Sequence, residues 1–194
     1  MTAARTTAPV AGGGASKRGD WQRALLVGVL TFLAFRLVME AIGLVAAFRG
    51  QLLARLASAL EVWNHWDVGW FSNLSQHGYR AFSHVMDTPG MYHDGTAFPP
   101  AMPLLMRAGS AAGLSPNAAG ILWSCLFLAL ALGLLYRLAR EEHGPDAARW
   151  SLVFLLVYPF SLFLGVAYAE ALVLLCAVGA YVAARRGLWW VAGA

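Results

Sequence analysis

In 194 residues, 59% hydrophobic and 12% charged side chains give a mean hydropathy of +0.59; a soluble domain carries about twice that charge, so a water-soluble globule is excluded. The net charge of +4 comes from thirteen arginines and one lysine. The arginines flank apolar runs instead of forming one basic stripe, which excludes a nucleic-acid surface.

Residues 1–23 are rich in Thr, Ala and Gly, cannot build a core, and are expected to form a disordered basic tail. Lys17, Arg18 and Arg23 precede an apolar run over 24–48, which places the N-terminus in the cytoplasm. At about 1.5 Å per residue that run reaches roughly 37 Å, enough to span a bilayer with tilt. It is too long for the apolar part of a signal peptide. Within it, Arg36 and Glu40 stand at spacing i, i+4. They form either a structural pair facing neighbouring helices or a polar contact to substrate.

Residues 49–116 are the least apolar stretch, with turn chemistry at Thr88-Pro89-Gly90 and Asp94-Gly95. The segment 98–114 is short, holds three prolines and carries Arg107. A crossing there would put both later cation clusters outside. An interfacial or re-entrant helix keeps them inside with the tail. Residues 49–116 then form one extracytoplasmic loop. Further spans are expected at 117–138, capped by Ser115 or Asn117, at 150–164 and at 167–184. Charged turns separate them at 137–149 and at Arg185-Arg186-Gly187, and an apolar run starts at 188. More helices are expected beyond it, and a catalytic site built between helices would be incomplete without them. Cys125 and Cys176 lie inside apolar runs and imply no disulfide. The expectation is an all-α, multi-pass cell-membrane protein: the tail at 1–23, then a transmembrane domain over 24–194 whose long outer loop carries interfacial helices.

The loop contains WNHWDVGWFSNLSQHGY, Trp63 to Tyr79. Trp63, Asp67, Trp70, Leu74 and His77 share one face of a helix if the whole stretch is helical, with Gly78 as its stop. Tryptophans at that density anchor at headgroup level. Asp67 among them either caps or pairs locally, or serves chemistry at the membrane surface. Glu170, in YPFSLFLGVAYAEAL, is an acid just inside an apolar run on the same side. It is either a helix N-terminal acid favoured by the dipole or a functional residue. His65-x-Asp67 and His93-Asp94 match no zinc spacing, so no metal or other cofactor is expected, although a divalent ion would find ligands there. The Asn73-Leu74-Ser75 sequon is read as chance.

The order HWD…HGY, AFPPAMPLL, YPFSLFLGVAYAEAL and RRGLWW resembles the PIG-V mannosyltransferases, multi-span glycosyltransferases of the GT-C class, over about Trp63 to Trp190. In that family a Trp-Asp pair and a Gly-Tyr lie in the first lumenal loop, followed by Phe-Phe-Pro and a later Tyr-Ser-Glu. Here Ala97-Phe98-Pro99-Pro100 and Tyr168-Ala169-Glu170 depart from that pattern, and the loop over 83–96 is longer. The resemblance implies inverting transfer of mannose from a polyprenyl-phosphate-mannose donor to an extracytoplasmic glycan or glycolipid acceptor. Asp67 would be the base and Glu170 would orient acceptor or sugar. Trp66, His77, Tyr79 and Tyr168 would contact substrate. Arg80 or Arg107 would hold the leaving phosphate, unless they anchor the loop at the surface. Arginine over lysine, with abundant Ala, Leu and Gly, is typical of GC-rich bacterial coding, so the GPI acceptor of eukaryotic members does not carry over. The alternatives are a non-enzymatic transporter or assembly subunit, or a GT-C enzyme transferring another sugar such as arabinose or glucose.

Overall fold

A computed structural model describes residues 14–48, 63–79, 85–88, 91–93 and 97–193. Arg80, all of 49–62 and the Asp94-Gly95 turn lie outside the described residues. The described chain is mostly helical: α1 (Gly14–Phe48), α2 (Val68–His77), α3 (Ala101–Ala111), α4 (Pro116–Val157), a 3-10 segment (Pro159–Gly165), α5 (Glu170–Arg185) and α6 (Trp189–Ala192). The all-helical expectation needs one amendment. β1 (Val85–Thr88) and β2 (Met91–His93) pair antiparallel on either side of Pro89-Gly90, with Val85 opposite His93 and an irregular register.

Helix α1 starts at Gly14, ten residues before the apolar run, so 14–23 is helix and not tail. Tertiary contacts account for the extra turns, since a polar helix start is marginal alone. Trp21 lies under the Arg137 guanidinium at 3.5 Å, and Asp20 pairs with Arg140 at 3.8 Å. Those contacts run α1 antiparallel to α4. The two cross where both lack side chains. A Cβ on Gly28 would come 2.6 Å from the Gly133 amide nitrogen and 2.7 Å from the Ala129 carbonyl. Close backbone approach through Ala24-x-x-x-Gly28 and Ala129-x-x-x-Gly133 is how helices associate in lipid, where apolar burial offers no drive.

Ser115 is the cap of α4, its hydroxyl accepting from the Ala118 N–H at 3.2 Å, with Pro116 in the first turn. The charged stretch 137–149 was expected to be a turn; it is helical except at one break. Arg137 and Glu141 pair along the helix at 2.6 Å and favour its continuation. The break is Gly144, at φ 90° and ψ 176°, a backbone conformation side chains disfavour, followed by Pro145. The span expected at 150–164 stops at Val157. Pro159 forces Tyr158 into extended backbone, φ −59° and ψ 131°, and the chain continues as the 3-10 segment. That segment meets α5 at 93°. Among the described residues two helices, α1 and α4, are long and apolar enough to cross a membrane, or three spans if the bent pair counts as one. Four were expected; α4 takes in the expected span 117–138 and, beyond the Gly144 break, most of 150–164, while α5 has only 16 residues. Leu37, Leu122, Phe154 and Val173 are each more than half exposed on these helices, an apolar surface that suits lipid and not water. Helix α3 is too short to cross, at about 16 Å. It packs through the fully buried Met102 and Met106, and Trp123 Nε1 of α4 donates to its Leu105 carbonyl at 2.9 Å.

Candidate functional site

The turn between the 3-10 segment and α5 is held from three sides. From α1, Arg36 Nη1 donates to the Gly165 carbonyl at 2.7 Å. Arg36 also pairs with Glu40 one turn along. The charged pair therefore joins α1 to the turn, which is the structural alternative for it. From α4, the buried Ser124 hydroxyl donates to the Tyr168 carbonyl at 3.1 Å. Ala167 sits against Gly120, where a Cβ would come 2.6 Å from the Ala167 methyl. From the loop, the Asp67 N–H donates to the Tyr168 hydroxyl at 2.8 Å, and that hydroxyl donates to the His65 carbonyl at 3.4 Å. Tyr168 is only 4% exposed; Phe163 stacks on its ring at 5.1 Å, with Phe71 at 6.0 Å.

Asp67 and Glu170 come from distant parts of the chain and meet around this tyrosine. Asp67 occupies the N-cap position of α2, yet its side chain makes no cap hydrogen bond. The carboxylate is exposed. Local capping is therefore not what the side chain does. Glu170 is the first residue of α5, exposed, where the helix dipole favours an acid. The two carboxylates are within electrostatic reach of each other and of the Tyr168 phenol.

The helical face expected from Trp63 to His77 is broken. Helix α2 starts at Val68 and buries Val68, Phe71, Leu74 and Ser75. Val68, Phe71 and Leu74 recur at helical spacing and take the core face, with Ser75 beside them. Trp66 precedes the helix at φ 53°, left-handed backbone that is strained for a bulky side chain. Trp66 is 70% exposed and touches Phe163 edge-on at 5.8 Å. Phe160 stacks on Phe163 at 6.0 Å, and Tyr158 lies 5.7 Å from Phe160. Together they make an exposed aromatic ledge beside the two acids. Sequence reasoning named neither Phe160 nor Phe163; an aromatic in an apolar run carries no signal of such a role.

The other expected site residues stand apart. His77 ends α2, about 15 Å along the helix from Asp67, with Nδ1 3.3 Å from the Asn73 carbonyl. The Tyr79 hydroxyl donates to the Phe98 carbonyl at 2.6 Å, and Phe98 stacks on Trp70 at 5.7 Å. Burial pushes the Tyr79 phenol above its ordinary pKa. Arg107 is exposed on α3 and makes no ion pair among the described residues. Arg80 cannot be placed, being outside them. No three His, Cys, Asp or Glu side chains converge on a metal position among the described residues. The chain matches no protein-family profile, no curated protein and no solved structure.

Proposed function

We propose that this protein is a membrane glycosyltransferase moving a sugar, mannose by the motif resemblance, from a polyprenyl-phosphate donor to a glycan or glycolipid acceptor outside the cytoplasm. The observation that carries the reading is the meeting of Asp67 and Glu170 around Tyr168, beside an exposed aromatic ledge. Acids at an apolar surface suit a reaction between a lipid-linked donor and a hydroxyl acceptor. The acceptor oxygen attacks the anomeric carbon and its proton passes to the Asp67 carboxylate. The bond from that carbon to the phosphate oxygen breaks, and its electron pair leaves with the phosphate. Glu170, held at the start of α5, orients acceptor or sugar. Trp66 and the ledge take the first units of the prenyl chain, as aromatic rings do at headgroup level. Tyr168 positions Asp67 through its amide. The reading also places the chain as a multi-pass protein, tail end in the cytoplasm and Asp67 outside. Helix α3 then lies in the interface.

The test is single-turnover transfer of radiolabelled sugar from prenyl-phosphate mannose, glucose or arabinose by the full-length protein in proteoliposomes. Asp67→Asn keeps size and removes proton acceptance, so transfer should fall by about 10²–10⁴-fold with donor binding little changed. Glu170→Gln should weaken acceptor or sugar binding with a smaller loss of rate. An Asp67→Asn protein within about threefold of wild type ends the general-base role. Wild-type behaviour of both variants supports a transporter or assembly subunit instead.

A further inference from the structure

The end of the bundle away from Asp67 holds a second constellation that the proposed reaction does not use. Trp21 of α1, Arg137 and Glu141 of α4 and Arg185-Arg186 at the end of α5 enclose a cavity of about 140 Å³, with Leu134 and Val182 in its wall. At about 30 Å³ per water this is room for four or five waters, or one compact oxyanion. Arg137 gives its Nε to Glu141 at 2.6 Å, while its Nη1 is buried with no hydrogen-bond partner among the described residues. Arg185 is paired with Glu142 at 2.6 Å, and Arg140 with Asp20 at 3.8 Å. Arg186 has no ion pair among the described residues, and its guanidinium lies 5.3 Å from the same Trp21 ring that Arg137 covers at 3.5 Å. The local acids are thus committed to Arg137 Nε, Arg140 and Arg185. What remains is one unpaired guanidinium and one orphaned buried N–H group, two cations turned toward a single indole. A buried donor without an acceptor is costly, and an anion here would satisfy the Arg137 N–H and balance the charge of Arg186. Leu138 lines this cavity and also a second, more open one of about 360 Å³ between α4 and α5, walled by Ala139, Val178 and Tyr181 with Glu142 and His143 at one end. An anion-sized polar cavity and a largely apolar slot thus lie against the same leucine.

We propose that this place binds one anionic phospholipid. Its phosphodiester accepts from Arg137 Nη1 and Arg186, and an acyl chain lies in the α4–α5 slot. Guanidinium groups suit phosphate oxygens because their N–H groups point in fixed, parallel directions. The slot is what favours a lipid over a soluble phosphate.

The experiment places the full chain in phosphatidylcholine nanodiscs with a rising fraction of phosphatidylglycerol and counts retained lipid by native mass spectrometry. One tightly held phosphatidylglycerol per chain is expected. Arg186→Gln, at an exposed position, should weaken its retention about fivefold, and the Arg137→Gln/Arg186→Gln double variant more. Arg149→Gln removes an exposed arginine beyond the Gly144 break and should change nothing. The thermal midpoint of each variant separates loss of lipid from loss of fold. Equal retention of both lipids by wild type overturns the proposal, and so does an Arg149→Gln effect equal to that of Arg186→Gln. Displacement of the bound lipid by millimolar inorganic phosphate overturns the lipid assignment in favour of a soluble anion.

Discussion

Tyr168 shows how one hydroxyl ties a loop to a helix turn. It accepts the Asp67 N–H and donates to the His65 carbonyl, so two backbone groups of the loop depend on it. Tyr168→Phe keeps the stacking on Phe163 and removes only this tie. The Asp67 amide then loses its partner, a loss of roughly 1–2 kcal/mol. Hydrogen exchange in a peptide covering 66–69 should quicken about tenfold, with no change in the α4 peptides. Unchanged exchange there would mean that the Phe71 and Trp70 contacts hold the loop unaided. Asp67 itself was visible in the sequence as a carboxylate among tryptophans. That its carboxylate does not cap the helix was not visible, because Asp is as common a cap as any residue.

At the scale of elements, glycine decides where helices touch and where they stop. Gly28 lies where α1 meets the backbone of α4. Backbone cannot move aside as a flexible side chain can, so Gly28→Ala should destabilise by about 1–3 kcal/mol. Gly179 in α5 has nothing within 4 Å of a built Cβ. Gly179→Ala should be neutral, or should stabilise by up to about 1 kcal/mol through helix propensity alone. Thermal unfolding in detergent checks both, and equal effects at the two sites would contradict the close crossing. Gly144 acts by conformation instead. With φ at 90° it breaks α4 within a stretch whose Arg, Glu and Ala content otherwise favours helix. Charge density alone had placed a turn over 137–149, yet only Gly144-Pro145 interrupts the helix.

For the whole molecule, the antiparallel crossing of α1 and α4 separates two kinds of end. Arg137, Arg140, Arg185 and Arg186 gather near Asp20 and Trp21. Asp67, Glu170 and Tyr168 gather at the other end, where Arg36 reaches the turn. The span of α1 between Trp21 and Met39 is about 27 Å, close to the hydrocarbon thickness of a bilayer. The orientation proposed above, from the positive-inside tendency, puts the arginine end in the cytoplasm. With Cys125 and Cys176 replaced by alanine, Ala112→Cys should react with an impermeant thiol reagent on intact cells. Asp146→Cys should react only after permeabilisation. Labelling of Asp146→Cys from outside would invert the orientation and remove Asp67 from the extracytoplasmic face.

Composition and the spacing of apolar residues determined by themselves that the chain is mostly helical, with helices long and apolar enough to cross a membrane. They located the first span, the Ser115 start of α4, the short proline-rich helix near 98–114, and two acids out of place in apolar surroundings. These are local matters: hydrophobic length, cap chemistry and the solvation of single charges follow from neighbours along the chain. Only the tertiary structure decided that Asp67 and Glu170 share one tyrosine. It also decided that Arg36 serves the Gly165 carbonyl and that His77 and Arg107 stand aside. Such pairings depend on where α1 and α4 cross, and that crossing is set by small residues whose significance appears only when two backbones meet. The aromatic ledge was hidden for the same reason, since Phe160 and Phe163 read as ordinary apolar residues until the turn after Tyr158 brings them beside Trp66.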